Sequence, residues 1–260
     1  MEINFTKYQG TGNDFILLDN RELKYSALTK SQIEFLCNRR FGIGADGLML
    51  IEKMDGFDFK MVYYNLDGNV SSMCGNGGRC ITKFAKQLGI VDGKAMFFAI
   101  DGAHEAIIND NGYVELKMNN IIKIERLGND FILNTGSPHY VQYVHDLNNY
   151  NVYLEGKKIR NSKPFAETGI NVNFIEIIND VLYVRTYERG VEDETYSCGT
   201  GVVASAIVAS MGQFVFGAEI NVSTKGGSLK VSFDKINNQN FENIWLKGHA
   251  NKVFEGVVFI

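Results

Sequence analysis

Two short segments of this sequence carry the residue types for acid–base chemistry at a carbon atom. Cys74 opens Cys-Gly-Asn-Gly and Cys198 opens Cys-Gly-Thr-Gly. Each cysteine stands before a glycine-rich turn that is expected to open a helix. A helix N-terminus presents free N–H groups and a partial positive charge. A thiol placed there gives up its proton more readily than a free cysteine does. The same N–H groups bind a carboxylate, and glycine lets the backbone come close to it. One loop therefore offers a base and an anion cradle together. Thiol and thiolate interchange near neutral pH, so one sulfur can take a proton from a carbon while a second returns one to the opposite face. Inverting the α-carbon of an amino acid requires that arrangement, with the carboxylate held at the helix starts as charge develops.

The elements that position the cysteines form an internal repeat. Four segments match at the single offset of 124 residues that separates Cys74 from Cys198. CGNGGRC (74–80) meets CGTGVVA (198–204), and TGN (11–13) meets TGS (135–137). GLMLI (47–51) meets NVNFI (171–175), and FDFKMVYY (57–64) meets VLYVRTYE (181–188). Four collinear matches imply two homologous halves, expected as domains at 1–117 and 118–248, with a last strand at 249–260 returning to the first. β-Branched and aromatic runs predict strands at 15–18, 48–52, 60–64, 140–144, 172–177 and 182–187. Ile81, Phe84, Ala85 and Leu88 recur at helical spacing and end at Gly89, a C-cap residue. The longest apolar run, 202–217, begins with ten uncharged residues, and a helix apolar all round is buried all round. The fold class expected is α+β, with two duplicated domains. Each is a curved mixed or antiparallel sheet wrapped around a central helix, and the two halves facing each other would bring both cysteines to one small molecule.

Composition bounds the remaining possibilities. The 260 residues are 45% hydrophobic and 22% charged, with 2 Pro and 27 Gly, which suits a globular protein with a sizeable core. A net charge of −4 without a Lys/Arg block gives no nucleic-acid footprint. The apolar run 202–217 is shorter than the roughly 18 residues of a membrane helix and is broken by Gly212 and Gln213. The opening residues lack the basic and apolar regions of a signal peptide, so a cytoplasmic protein is expected. Four cysteines (37, 74, 80 and 198) form neither a disulfide framework nor a zinc pattern. No Walker A or dinucleotide-binding glycine signature occurs, so no cofactor is expected.

GTGNDF (10–15), NLDGNVSSMCGNGGRC (65–80), NVNF (171–174) and ERGVEDETYSCGTG (188–201) resemble the diaminopimelate epimerase family, in order and along nearly the whole chain. The resemblance implies paired α/β domains with the active site in the cleft between them. It also implies no pyridoxal phosphate, no metal and often a homodimer. The activity implied is interconversion of LL- and meso-diaminopimelate, a small amino-acid substrate of lysine and peptidoglycan-precursor biosynthesis. Carried over residue by residue, Cys74 and Cys198 are the acid–base thiols. Gly75, Asn76, Gly199 and Thr200 give backbone donors to the carboxylate at the reacting centre. Asn13, Asn65, Asn171, Glu188 and Arg189 form the polar shell for the ammonium groups and the distal carboxylate, with Arg189 suited to a bidentate contact. His139 matches the family's histidine near the thiols. Two positions depart from the pattern of some members: Gly47 stands where they carry Gln, and Ser137 where they carry Asn.

Other readings of the same residues stay open. Cys37 and Cys80 are expected in the core, and Cys80 has only Ala204 opposite it in the second half. Asn65 and Asn171 suit turns, and Glu188 with Arg189 suits a solvated ion pair. A racemase of ring-shaped amino acids would use the same two thiols, but its substrate has no distal amino-acid end for the polar shell. A redox sensor would instead join the two thiols in a disulfide.

Overall fold

The computed structural model describes residues 1–71, 73–109, 111–212 and 219–260, so positions 213–217 of the long apolar run lie outside the described residues. The chain divides into two compact units, Met1–Leu116 with Gly248–Ile260, and Lys117–Lys247. The first contains β1 (Glu2–Gly10), β2 (Asn13–Asp19), α1 (Lys30–Cys37), β3 (Gly47–Glu52), β4 (Phe59–Asn65), the short β5 (Val70–Ser71), α2 (Gly75–Gln87), β6 (Lys94–Ala99), β7 (Gly102–Ile108) and β8 (Tyr113–Lys117). β1 and β2 are antiparallel, β2 and β3 parallel, β3 and β4 antiparallel, β4 and β6 parallel, and β6 to β8 antiparallel. The last strand of the chain, Asn251–Phe259, runs antiparallel along the free side of β1.

The second unit repeats this plan. It contains β9 (Ile124–Leu127), β10 (Asp130–Asn134), β11 (Pro138–Tyr143), α3 (Val152–Arg160), β12 (Asn171–Ile178), β13 (Val181–Glu188), β14 (Asp193–Thr195), α4 (Gly199–Ser210), β15 (Ile220–Thr224), β16 (Gly227–Lys235) and β17 (Phe241–His249). β10 to β13, β15, β16 and β17 pair in the same sequence of antiparallel and parallel steps as β1 to β4 and β6 to β8. The duplicated mixed sheet around one central helix, expected from the repeat, is the architecture of the chain.

Strand parity explains how each sheet carries helices on both faces. Successive side chains of a strand point to opposite sides. Leu48 and Leu50 of β3 join Ile16 and Leu18 of β2 in a core closed by Ile33 and Leu36 of α1. Met49, between them, points the other way and meets Gly77 of α2. In the second unit Val172 and Phe174 of β12 pack with Val152 of α3, while Asn173 meets Gly201 of α4. A strand covered on both faces reads as a continuous apolar run, and β3 does so as GLMLI.

The helices are set by local chemistry. α1 starts at a capping box in which Thr29 and Gln32 each bond the other's backbone N–H. α2 ends at Leu88, and the following Gly89 takes a positive φ of 69°, the left-handed conformation that stops a helix. α4 is buried throughout Val202–Ala209, in keeping with its lack of charge. It packs on β10 to β13, β15 and β16.

Candidate active site

Cys74 is the N-cap residue of α2 and Cys198 that of α4. Both have extended backbone, and neither side chain caps its own helix. The first turn of each helix therefore faces the sulfur's surroundings, as the glycine pattern required. Cys74 is half-buried and Cys198 is buried.

Around Cys74 the partners come from the turn between β1 and β2. The Cys74 thiol donates to the Asn13 side-chain oxygen at 3.5 Å, and the Asn76 amide donates to the same oxygen at 3.4 Å. The Asn13 orientation is fixed because its Nδ2 donates to Asp46 at 2.6 Å, and a carboxylate only accepts. Asp46 and Asp14 are bridged by Arg39, at 2.7 Å from each, and Lys7 meets Asp14 at 2.8 Å. Burial would raise the Asp14 carboxyl, but Arg39 and Lys7 outweigh it and hold it at about 2. Beneath the loop lies Arg79, fully buried. It donates to the Gly75 carbonyl at 3.1 Å, to Asn76 Oδ1 at 3.0 Å and to Thr11 at 3.4 Å, and its Nε has no partner among the described residues. Burial pulls its pKa down, against the opposing influence of the Cys80 and Cys74 thiols, yet a guanidinium keeps its charge in proteins.

Around Cys198 the partners come from β11, β12 and β13. The sulfur lies 3.5 Å from the Thr200 hydroxyl, which lies 2.9 Å from His139 Nε2. His139 Nδ1 lies 3.1 Å from the side-chain nitrogen of Asn173, which also donates to the Tyr140 carbonyl at 3.0 Å. Thr186 donates to the Asn173 oxygen at 2.9 Å. Thr135 donates to the Thr200 carbonyl at 2.9 Å. Complete burial, with Arg189 adding repulsion, drives the His139 pKa down to about 3, so the ring is neutral.

Asn171 lies with Arg189 and Ser137: its oxygen accepts from the Arg189 backbone at 2.9 Å, and its nitrogen donates to Ser137 at 2.9 Å. The Arg189 guanidinium is exposed; it donates to the Thr168 carbonyl at 3.0 Å and reaches Ser137 at 3.5 Å. Glu188 accepts from Thr195 at 3.0 Å. Asn65 ends β4, and its backbone closes a turn with Gly68 and Asn69. Gly47 is a packing requirement, since a Cβ there would stand within 2.6 Å of the Tyr64 carbonyl oxygen and overlap the Tyr63 ring. Cys37 and Cys80 are core residues, with burial raising both thiols to about 12. Among the described residues, no three His, Cys, Asp or Glu side chains group as metal ligands.

Asn173, Thr186, Thr135, Arg79 and Asp46 belong to these surroundings but were not singled out by residue type. The repeat carried a signal for some of them. Thr11 and Thr135 match at the offset, and both bond the second residue of the helix that the cysteine of their unit caps. Gly77 and Gly201 also match, and each is the glycine that admits the inward residue of the neighbouring strand, Met49 or Asn173.

The family model for diaminopimelate epimerase matches the chain twice, over residues 5–123 and 131–253. A diaminopimelate epimerase of Flavobacterium psychrophilum is 50% identical over 253 residues, covering 97% of this chain and 98% of that protein. One from Chlorobaculum tepidum is 42% identical, covering 96% and 98%. Among solved structures, a PhzF-family phenazine biosynthesis protein of Bacillus anthracis superposes with a TM-score of 0.78 at 14% identity, covering 100% of both chains. A hydroxyproline epimerase of Agrobacterium vitis gives 0.67 at 14%, covering 99% of this chain and 92% of that one. At these identities the structural matches show the fold alone.

Proposed function

This chain belongs to the diaminopimelate epimerase family, and we propose on that premise that it interconverts LL- and meso-diaminopimelate with Cys74 and Cys198 as the two acid–base groups. The protein is an isomerase. The thiolate of one cysteine takes the α-proton and becomes a thiol. The other thiol gives its proton to the opposite face of the carbon and becomes the thiolate. The stereocentre is inverted and the proton count of substrate and enzyme together is unchanged. The carrying observation is that both sulfurs stand as N-cap residues on glycine-opened helices, neither committed to capping its own helix. Backbone N–H groups of Gly75, Asn76, Gly199 and Thr200 are the donors proposed for the substrate carboxylate, where negative charge is stabilised as the carbanion forms.

Asn13, Asn65, Asn171, Glu188 and Arg189 are the residues proposed to read the second amino-acid end of the substrate. The exposed Arg189 guanidinium, steadied by Thr168 and Ser137, suits the distal carboxylate, and Glu188 an ammonium group. A ring-shaped amino acid would leave these groups unmatched, which favours the longer substrate. The reaction needs two reduced thiols, a chemistry suited to the reducing cytoplasm and to a role in lysine and peptidoglycan-precursor synthesis.

A homodimer through the last strand is part of this proposal. That strand bonds β1 on one side, and Val257 and Phe259, on one face by parity, are each more than half exposed.

The experiment is proton NMR of LL-diaminopimelate in deuterated water with reduced enzyme and no added cofactor. Loss of the α-proton signal with growth of the meso form is expected. Exchange of proline or hydroxyproline in its place would overturn the substrate, and no exchange of any amino acid would overturn the reaction.

A further inference from the structure

Asn173 lies fully buried on the inward face of β12, where the first unit carries Met49. A polar side chain at that depth is costly unless every hydrogen-bonding atom is used. Its contacts fix the direction of each bond in turn. The Tyr140 carbonyl can only accept, so the atom facing it is the amide nitrogen, and that same nitrogen faces His139 Nδ1. Nδ1 is then an acceptor, and in a neutral ring the proton sits on Nε2. Nε2–H donates to the Thr200 oxygen at 2.9 Å. The Thr200 hydroxyl hydrogen is left for the Cys198 sulfur, 3.5 Å away. Behind Asn173, Thr186 donates to the amide oxygen and closes the chain from the far side.

We propose that Asn173 is a positioning residue for Cys198: by donating to Nδ1 it holds His139 as the Nε2–H tautomer, and His139 thereby turns the Thr200 hydroxyl hydrogen onto the sulfur. The inference rests on Cys198 being a proton-transfer thiol. A hydroxyl donor aimed at the sulfur stabilises the thiolate, so the chain sets the ease with which Cys198 takes and releases its proton. Burial keeps the His139 ring neutral, and the exposed Arg189 adds repulsion against its protonation. Glu188 is turned to Thr195. The Cys74 side has the opposite polarity: Asn13 presents an accepting oxygen, because its nitrogen is held by Asp46. The two thiols of a duplicated fold are thus tuned by different devices.

The test starts with wild-type enzyme and ¹⁵N NMR of its histidine side chains, with His139 assigned by a His139→Gln variant. His139 is expected as a neutral Nε2–H tautomer that does not titrate between pH 5 and 8. An Nδ1–H tautomer, or titration near the ordinary histidine value, overturns the proposal without any change to Asn173. Asn173→Asp, nearly isosteric, replaces a donor by an acceptor, and Nδ1 is expected to gain a proton. The kcat for epimerisation should fall at least about tenfold with KM within about twofold, the pattern of a transition-state effect. Thr200→Val should move the pH profile of iodoacetamide alkylation to higher pH at Cys198 and leave Cys74 unmoved, as read by peptide mass spectrometry. Equal movement at both thiols, or none at either in folded protein, overturns it. Because NMR and alkylation need no substrate, an enzyme inactive on diaminopimelate with these signatures intact would sink the proposed function and leave the tautomer assignment standing.

Discussion

Substituting alanine for the matched glycines at 77 and 201 should have unequal effects, although the two positions are equivalent in the repeat. Both lie in the first turn of their helices, so alanine contributes the same intrinsic helical gain, at most about 1 kcal/mol. The neighbours differ. A Cβ at 77 would overlap the terminal methyl of Met49 while leaving its sulfur 3.5 Å away. The methyl is the far end of a flexible chain, and its displacement costs about 1 kcal/mol, close to the helical gain. A Cβ at 201 would overlap the Asn173 side-chain oxygen, with the amide carbon at 3.3 Å and the Cys198 Cβ at 3.4 Å. Asn173 cannot swing without losing Thr186, Tyr140 and His139. Disturbing a buried polar group that is left partly unsatisfied costs roughly 1–3 kcal/mol beyond the overpacking. Gly77→Ala should therefore be near neutral and Gly201→Ala destabilising by about 2 kcal/mol, a Tm lower by about 4–8 °C. Differential scanning calorimetry of the two variants reads this directly. Equal losses, or a larger loss at 77, would refute the claim that the two glycines serve different neighbours.

Cys74→Ala and Cys198→Ala should each lower kcat by about 10²–10⁴ or more while circular dichroism stays unchanged; wild-type turnover in either variant would end the two-thiol reading. Asp14 has its pKa depressed to about 2, so its stabilisation is present above its unfolded value near 4 and disappears as pH falls from there to about 2. It amounts to about 2 kcal/mol, and urea titrations at pH 5 and pH 2.5 should show a smaller acid loss in Asp14→Asn than in the parent. Val257→Lys, on the exposed face of the last strand, should halve the mass measured by analytical ultracentrifugation, and an unchanged mass would exclude that strand as the interface.

The sequence carried the repeat, the two helix starts and most strands around them because these depend on local pattern. FKMVYY and VLYVRTYE alternate as strands do, and GLMLI is apolar throughout because α1 and α2 cover both faces of β3. The short outer helices were less visible. α3 includes Gly156, a poor helix former, and its reason is tertiary: a Cβ there would overlap Tyr187 of β13. The buried polar partners were the least visible. Nothing in the letter Arg at 79 or Asn at 173 separates a fully buried group from a solvated one. Their meaning comes from long-range pairing, as when parallel β11 and β12 bring His139 beside Asn171 and Tyr140 beside Val172.

The positions at which the halves differ are informative because the backbone between them does not. At the offset of 124, Met49 faces Asn173, Arg79 faces Val203, and Asn13 faces Ser137. Each pair sits around a helix start that both units build in the same way. A repeat under selection for packing alone would have no cause to bury a guanidinium in one core and an asparagine–histidine pair in the other. Both arrangements are costly to desolvate and tolerable only when bonded. The two-base inversion proposed above supplies a cause. At any moment one sulfur must hold a proton and the other must not, so identical surroundings would leave the partition of that proton unset. Arg79 adds charge beneath the Cys74 loop, while Asn173 acts at Cys198 through neutral donors; each unit repeats the same helix start, and the buried polar residues make the two thiols chemically unequal.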